Sequence, residues 1–109
     1  INAVPNEYQE AVAHSIVVGS LIPCSVSMTI YVYEALLGLG KEYSVYVWKE
    51  IERIWGNMLL TGTDTFWETE LGALDFDYAG SLCHGWSAVP IYLFGKYLTE
   101  SNKSPAGGA

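Results

Sequence analysis

The segment KEYSVYVWKEIERIWGNMLL, residues 41–60, decides the fold of this chain. Apolar side chains recur in it every three or four positions, which is the period of a helix that packs on one side. The predicted buried face comprises Val45, Trp48, Ile51, Trp55 and Leu59. The predicted exposed face comprises Lys49, Glu50, Glu52 and Arg53. The segment therefore predicts one long amphipathic helix.

Three further segments are predicted to be helical. Residues 6–18 and 25–38 precede the central segment, and residues 86–98 follow it. Glu34 is the only charge in 25–38, so we expect other elements to surround most of this helix. The apolar face predicted for the last helix comprises Trp86, Val89, Leu93 and Tyr97. Because no alternating segment is long enough for a strand, the predicted fold class is mainly α, built from antiparallel helical hairpins.

Composition excludes several classes of protein. A chain of 109 residues is one domain at most, and half of its residues are apolar, which excludes a disordered chain. The net charge of −7 would repel phosphate groups, so we expect no nucleic-acid partner. No apolar run reaches the ~18 residues that a membrane-spanning helix needs, so we expect no membrane partner. The glycine motifs of nucleotide-binding loops are absent, and no cofactor is predicted.

The ends and the cysteines support three expectations. The first residue is Ile1 and the chain is strongly apolar, so we expect it to be a piece of a larger protein. Small and polar residues dominate 99–109, which predicts a flexible tail. Cys24 and Cys83 are predicted to be buried free thiols, with one disulfide between them as the alternative. Neither the ends nor the cysteines identify a cellular compartment.

The loop predicted for residues 61–85 is the candidate functional region. Loops longer than ~15 residues are usually functional or disordered. Its many large apolar side chains argue against disorder, so we expect it to be ordered and packed, with a short β-hairpin around Gly72 as one option. It contains no lysine or arginine. Its five carboxylates are Asp64, Glu68, Glu70, Asp75 and Asp77.

Aromatic rings beside carboxylates are typical of sugar-binding sites. Rings stack on the C–H faces of pyranoses, while carboxylates accept hydroxyl protons and perform acid–base chemistry. The alternative is structural: these carboxylates cap helices or are simply solvated. His84 likewise has a structural alternative, as a core histidine. His14, Cys24, Cys83 and His84 match no zinc-ligand spacing, so no metal site is predicted.

Several motifs of this chain resemble a known family. They are WGNMLLTGTDTFWETE at residues 55–70, GSLCHGWSAVPIYLFGKYL at 80–98, and SVSMTIYVYEALLGLGKE at 25–42. Together they resemble the C-terminal part of the catalytic domain of bacterial α-L-rhamnosidases, which are six-hairpin glycosidases. The likeness covers roughly residues 20–98. Well-studied branches of that family have Asn-His-Tyr at the positions of Cys83, His84 and Gly85.

The resemblance implies a fold and an activity. It implies that residues 1–98 are part of an (α/α)6 barrel, and that the complete protein is an inverting glycoside hydrolase acting on terminal sugars. The family's general base corresponds to Glu68. Trp67 and His84 correspond to positions near the bound sugar, and Trp86 is a further candidate for substrate binding or for core packing. The family's general acid lies in a segment that this chain lacks, so the chain alone is expected to be inactive.

Two function classes therefore remain. The first is a glycosidase fragment whose partners are a rhamnoside-like glycan and the remainder of the catalytic domain. The second is a non-catalytic helical interaction module whose acidic, aromatic loop is structural. For a piece of a barrel we also expect exposed apolar faces, and hence self-association.

Overall fold

The computed structural model describes residues 3–99 of the chain. Within this range the regular structure is helical and contains no strand. The helices are α1 (Asn6–Val17), α2 (Thr29–Leu37), α3 (Lys41–Leu60), α4 (Asp75–Tyr78) and α5 (Val89–Leu93). Three 3₁₀ turns lie at Val26–Met28, Gly72–Leu74 and Gly85–Ser87, and a π-helical segment, Phe94–Leu98, continues α5. The predicted mainly α class is confirmed, whereas residues 100–109 of the predicted tail lie outside the described residues.

The four predicted helices agree with the structure to different degrees. The prediction for residues 41–60 coincides with α3, and that for 6–18 exceeds α1 by one residue. The predicted helix 25–38 divides into a 3₁₀ turn and α2, and 86–98 divides into α5 and the π-helical segment. Pro90 lies in the first turn of α5, where its missing N–H removes no intrahelical hydrogen bond.

The hydrophobic core lies where α3 packs against α1 and α2, and where α5 packs against α2. Its buried apolar side chains are Ala13, Val26, Tyr33, Leu36, Tyr43, Val47, Ile51, Ile54, Trp55, Met58, Val89 and Leu93. Thr29 is also buried, and its hydroxyl donates a hydrogen bond to the carbonyl of Val26 at 2.6 Å, so no polar group is left unpaired there. The core thus reaches every helix except the single turn α4.

The buried face of α3 differs from the predicted one. Ile51 and Trp55 are buried as predicted, but Val45 is 48% exposed and Leu59 is 71% exposed. The helices of the core instead cover the adjacent side of α3, which comprises Tyr43, Val47, Ile54 and Met58. The apolar arc of α3 is wider than its neighbours in residues 3–99 can cover, and part of it stays open.

Two polar contacts connect helices that are distant in sequence. The hydroxyl of Tyr43 on α3 donates a short hydrogen bond to the carboxylate of Glu10 on α1. The ammonium of Lys96 binds both carboxylate oxygens of Glu34 on α2, at 2.9 and 3.0 Å. It also lies 5.3 Å from the ring centre of Tyr97, a distance suited to a cation–π interaction. These contacts attach both ends of the described chain to the central helices.

Three further predictions were wrong. Trp86 does not share the buried face of Val89 and Leu93, because its side chain is 75% exposed. Cys24 and Cys83 are free thiols, as predicted, but both are exposed rather than buried. Gly72 lies in a 3₁₀ turn instead of a β-hairpin.

No helix among residues 3–99 combines the length and hydropathy needed to cross a membrane.

Candidate functional site

The candidate site is built on two extended stretches of the loop that pair through their backbones. The amide of Glu68 donates to the carbonyl of Ser81 at 2.9 Å, and the amide of His84 donates to the carbonyl of Phe66 at 2.7 Å. Residues 66–68 therefore lie alongside 81–84. This pairing brings the Trp-Glu and Cys-His motifs, which are far apart in sequence, to one place.

Glu68 is held at Ser81 by its side chain as well as by its backbone. One carboxylate oxygen of Glu68 accepts a hydrogen bond from the amide of Ser81 at 3.4 Å, and the residue is half-buried. A carboxylate with a backbone donor and partial burial has a preferred orientation, unlike a solvated surface glutamate. The structure thus places the Glu68 carboxylate beside the Ser81 amide through a long hydrogen bond, with part of its surface still open.

Trp67 is fixed by a hydrogen bond and by a glycine. Its indole N–H donates to the hydroxyl of Thr63 at 3.3 Å. Its ring lies directly against Gly72, where an added Cβ would come within 2.6 Å of a ring carbon. Gly72 also has a φ of +55°, a left-handed conformation that only glycine adopts without strain. Two independent constraints therefore require glycine at position 72.

His84 and Trp86 lie at the turn that closes the site. His84 is half-buried, so it is not a fully buried core histidine, and its carbonyl accepts from the amide of Ser87 at 2.9 Å. The exposed ring of Trp86 is available for stacking. The carbonyl of Ser87 accepts from the indole N–H of Trp55 at 2.9 Å. This buried bond attaches the turn to α3.

The other carboxylates of the loop have structural or solvent contacts. Glu70 forms an ion pair with Arg53 at 2.6 Å, and the same guanidinium binds Glu50 at 2.8 Å. The hydrogen bonds to Glu50 and Glu70 raise the pKa of Arg53, which stays charged in any case. Asp75 accepts from the amide of Phe76, and Asp64 is exposed. The contacts of Glu70 and Asp75 are thus structural, whereas the catalytic role of Glu68 stays a prediction.

The turn at α4 has an unusual backbone. Phe76, Asp77 and Tyr78 all have positive φ, between 51° and 70°. For residues with a side chain this conformation costs roughly 1–2 kcal/mol each, and it normally occurs at single positions. The aromatic rings of Phe76 and Tyr78 are exposed, contrary to the expectation that the whole loop is packed.

The sequence alone did not reveal several residues that position the site. Ser81 holds Glu68, and Thr63 holds the indole of Trp67. Gly72 was the one with a usable signal, since an isolated glycine often marks a close backbone approach. Among residues 3–99, no group of three or more histidine, cysteine or carboxylate side chains is arranged to hold a metal ion.

Comparisons with known proteins add no relative: no protein-family model matches the chain, and neither a curated protein nor a solved structure is similar to it.

Proposed function

We propose that residues 61–88 form the general-base side of the active site of an inverting glycoside hydrolase, similar to α-L-rhamnosidases. The observation that carries this proposal is the pairing of residues 66–68 with 81–84, which gathers Trp67, Glu68 and His84. These are the residues that the family resemblance assigns to the base and to the sugar-binding positions. A half-buried carboxylate that follows a tryptophan in sequence has the chemistry that such a site needs.

In the proposed reaction, Glu68 removes a proton from a water molecule. The oxygen of that water bonds to the anomeric carbon of the sugar, and the glycosidic C–O bond breaks on the opposite face. A general acid protonates the leaving oxygen. In inverting enzymes the two carboxyl groups are about 6.5–9.5 Å apart, which leaves room for the water. We propose that the acid comes from the remainder of the catalytic domain.

The other site residues have binding roles in this proposal. The rings of Trp67 and Trp86 stack on the apolar face of the sugar, and the imidazole of His84 forms hydrogen bonds with its hydroxyls. The helices α1, α2, α3 and α5 would form hairpins of an (α/α)6 barrel. The exposed apolar side chains of Val12 on α1, Tyr31 on α2 and Ile91 on α5 support this arrangement, because barrel helices are covered on both faces.

The test compares two glutamates of the same segment in the complete protein. Glu68→Gln removes the proposed base, and we expect it to lower kcat by about 10²–10⁴, the usual contribution of general-base catalysis. Glu70→Gln is the matched control, because that carboxylate is engaged with Arg53. It should change kcat by less than about fivefold, because this exposed ion pair is worth at most about 1 kcal/mol even if all of it were lost from the transition state.

The assay is the hydrolysis of an aryl α-L-rhamnoside, with the anomer of the released sugar identified by NMR. Inversion of configuration is expected. Near-wild-type turnover of the Glu68→Gln variant would remove Glu68 from the mechanism. Hydrolysis by the 109-residue chain alone would contradict the need for an acid from elsewhere.

A further inference from the structure

An open apolar groove of about 660 Å³ lies along α3, beside loop residues 63–66 and the segment that follows Pro90. Its floor is formed by Ile51, Trp55 and Met58. The π-helical segment and residues 63–66 of the loop form its walls. At one end the rings of Trp48 and Phe94 are in contact, with their centres 5.6 Å apart. The groove thus lies between two helical segments, α3 and the π-helical segment.

The surface of the groove is apolar but not covered within residues 3–99. Leu59 is 71% exposed, Phe94 43% and Leu98 46%. Trp48 and Leu59 belong to the stripe whose period predicts burial, yet the helices of the described chain pack on the adjacent side of α3. Large apolar side chains that line a groove and stay exposed indicate a binding surface.

Gly56 gives a second, independent indication. Glycine is the poorest helix former after proline, and Gly56 lies inside α3 and lines the groove. A Cβ added at this position would have no atom within 4 Å. No contact among the described residues therefore requires glycine here. The close approach of an outside backbone would require it.

The charges at the groove define its partner. Glu52 and Asp64 line the groove, and neither forms an ion pair in the part of the chain that the structure describes. A partner with lysine or arginine beside its apolar side chains would neutralise both. A second copy would instead bring the same carboxylates and a net charge of −7. The chain's own residues 100–109 contain no large apolar side chain to fill the groove.

We propose that this groove binds an amphipathic α-helix of a partner, with basic residues flanking its apolar stripe. From Trp48 to Leu59, α3 extends roughly 17 Å at 1.5 Å per residue. This length matches a helix that inserts side chains at positions i, i+4, i+7 and i+11. Its backbone would cross α3 at Gly56. The proposal is independent of Glu68 and of any hydrolytic activity.

The test uses two labelled helical peptides and the 109-residue chain. Both peptides are about 16 residues long and carry leucine at the four anchor positions. One has lysine beside the leucines, and the other has glutamate at the same places. Binding is measured by fluorescence anisotropy. We expect the lysine peptide to bind at least about tenfold more tightly than the glutamate peptide, and its affinity to fall with salt.

Two variants and a control locate the binding site. Gly56→Trp fills the groove and should weaken binding of the lysine peptide at least about tenfold, because it blocks the backbone approach. Ala11→Trp adds the same ring on the exposed side of α1 and should leave binding unchanged. The double variant Glu52→Lys and Asp64→Lys should reverse the preference between the peptides. This double variant tests the proposal even if Gly56→Trp does not fold, as judged by circular dichroism.

Three results would each overturn the proposal. The first is the absence of binding of the lysine peptide, or equal binding of both peptides. The second is equal binding by the Gly56→Trp and Ala11→Trp variants. The third is a dimer in sedimentation experiments that Gly56→Trp abolishes, which would assign the groove to a second copy of the chain.

Discussion

The packing of Trp67 on Gly72 leads to a quantitative prediction for the variant Gly72→Ala. The new methyl group would lie 2.6 Å from one ring carbon of Trp67 and 2.9 Å from two others. Heavy atoms cannot approach so closely, so the indole ring has to move. Overpacking of this kind typically costs about 1–3 kcal/mol. The left-handed φ of +55° adds about 1–2 kcal/mol for a residue with a Cβ. We therefore expect a loss of about 2–5 kcal/mol in the free energy of unfolding.

Gly62→Ala is the matched control for the backbone contribution. Gly62 also has a left-handed φ, of +84°, but an added Cβ would meet no atom within 4 Å. This variant should lose only the backbone contribution, about 1–2 kcal/mol. The difference between the two variants then isolates the contact with Trp67. At about 4 °C per kcal/mol for a domain of this size, it corresponds to a difference in Tm of about 4–12 °C.

Urea unfolding followed by far-ultraviolet circular dichroism measures both variants. A Trp67→Leu background provides a further check, because in it Gly72→Ala and Gly62→Ala should become nearly equal. The coupling energy between positions 67 and 72 should be about 1–3 kcal/mol. If Gly72→Ala and Gly62→Ala are equally stable with Trp67 present, the ring does not pack on Gly72 and the orientation of the site loop is wrong.

Two smaller predictions concern buried groups of the core. The hydroxyl of Ser87 is fully buried and has no hydrogen-bond partner among residues 3–99, so Ser87→Ala should keep or raise stability by up to about 1 kcal/mol. In contrast, Thr29→Val should lower the free energy of unfolding by about 1 kcal/mol, because it removes the hydrogen bond to Val26. Thermal melts in which Ser87→Ala lowers Tm more than Thr29→Val would contradict both expectations. The hydrogen bond to Glu10, together with burial, raises the pKa of Tyr43 from 10.0 to about 12. The stabilisation from this hydrogen bond should be complete below pH 10. It should decline between pH 10 and 12, because the unfolded state loses the phenol proton of Tyr43 at a lower pH than the folded state does. Urea midpoints at pH 9 and pH 11 should show this decline, and Glu10→Gln should reduce it more than Glu7→Gln.

The fold could be predicted from the sequence only where local signals decide it. The bounds of α3 agree with prediction because its apolar period is regular along the whole helix and Gly40 precedes it. The predicted buried side of α3 was wrong in part: Val47 is buried, whereas Val45 is half exposed. The apolar residues of α3 cover more than one side of the helix, and their spacing does not tell which side the neighbouring helices cover. Contacts with segments distant in sequence determine which side is buried.

The site was predictable in its residue types but not in its construction. The composition of the loop and the motif around Glu68 predicted the candidate residues, and their catalytic role stays a prediction. The residues that hold the site act through their backbones. Ser81 bonds Glu68 through its amide and its carbonyl, and Gly72 has no side chain to displace the ring of Trp67. Neither property produces a periodic or compositional signal, and the isolated glycine at position 72 indicates a close approach without identifying Trp67 as its partner.

The groove and the candidate site share structural elements, which links the two proposals physically. Trp55 forms part of the groove floor and also holds the turn after His84 through its bond to Ser87. Thr63 lines the groove and accepts the hydrogen bond from the indole of Trp67, the neighbour of Glu68. A helix bound in the groove would therefore contact Trp55 and Thr63, which hold the turn after His84 and the indole of Trp67. If both proposals hold, a movement of Trp55 or Thr63 on helix binding would alter sugar binding, and this coupling would act equally in both directions.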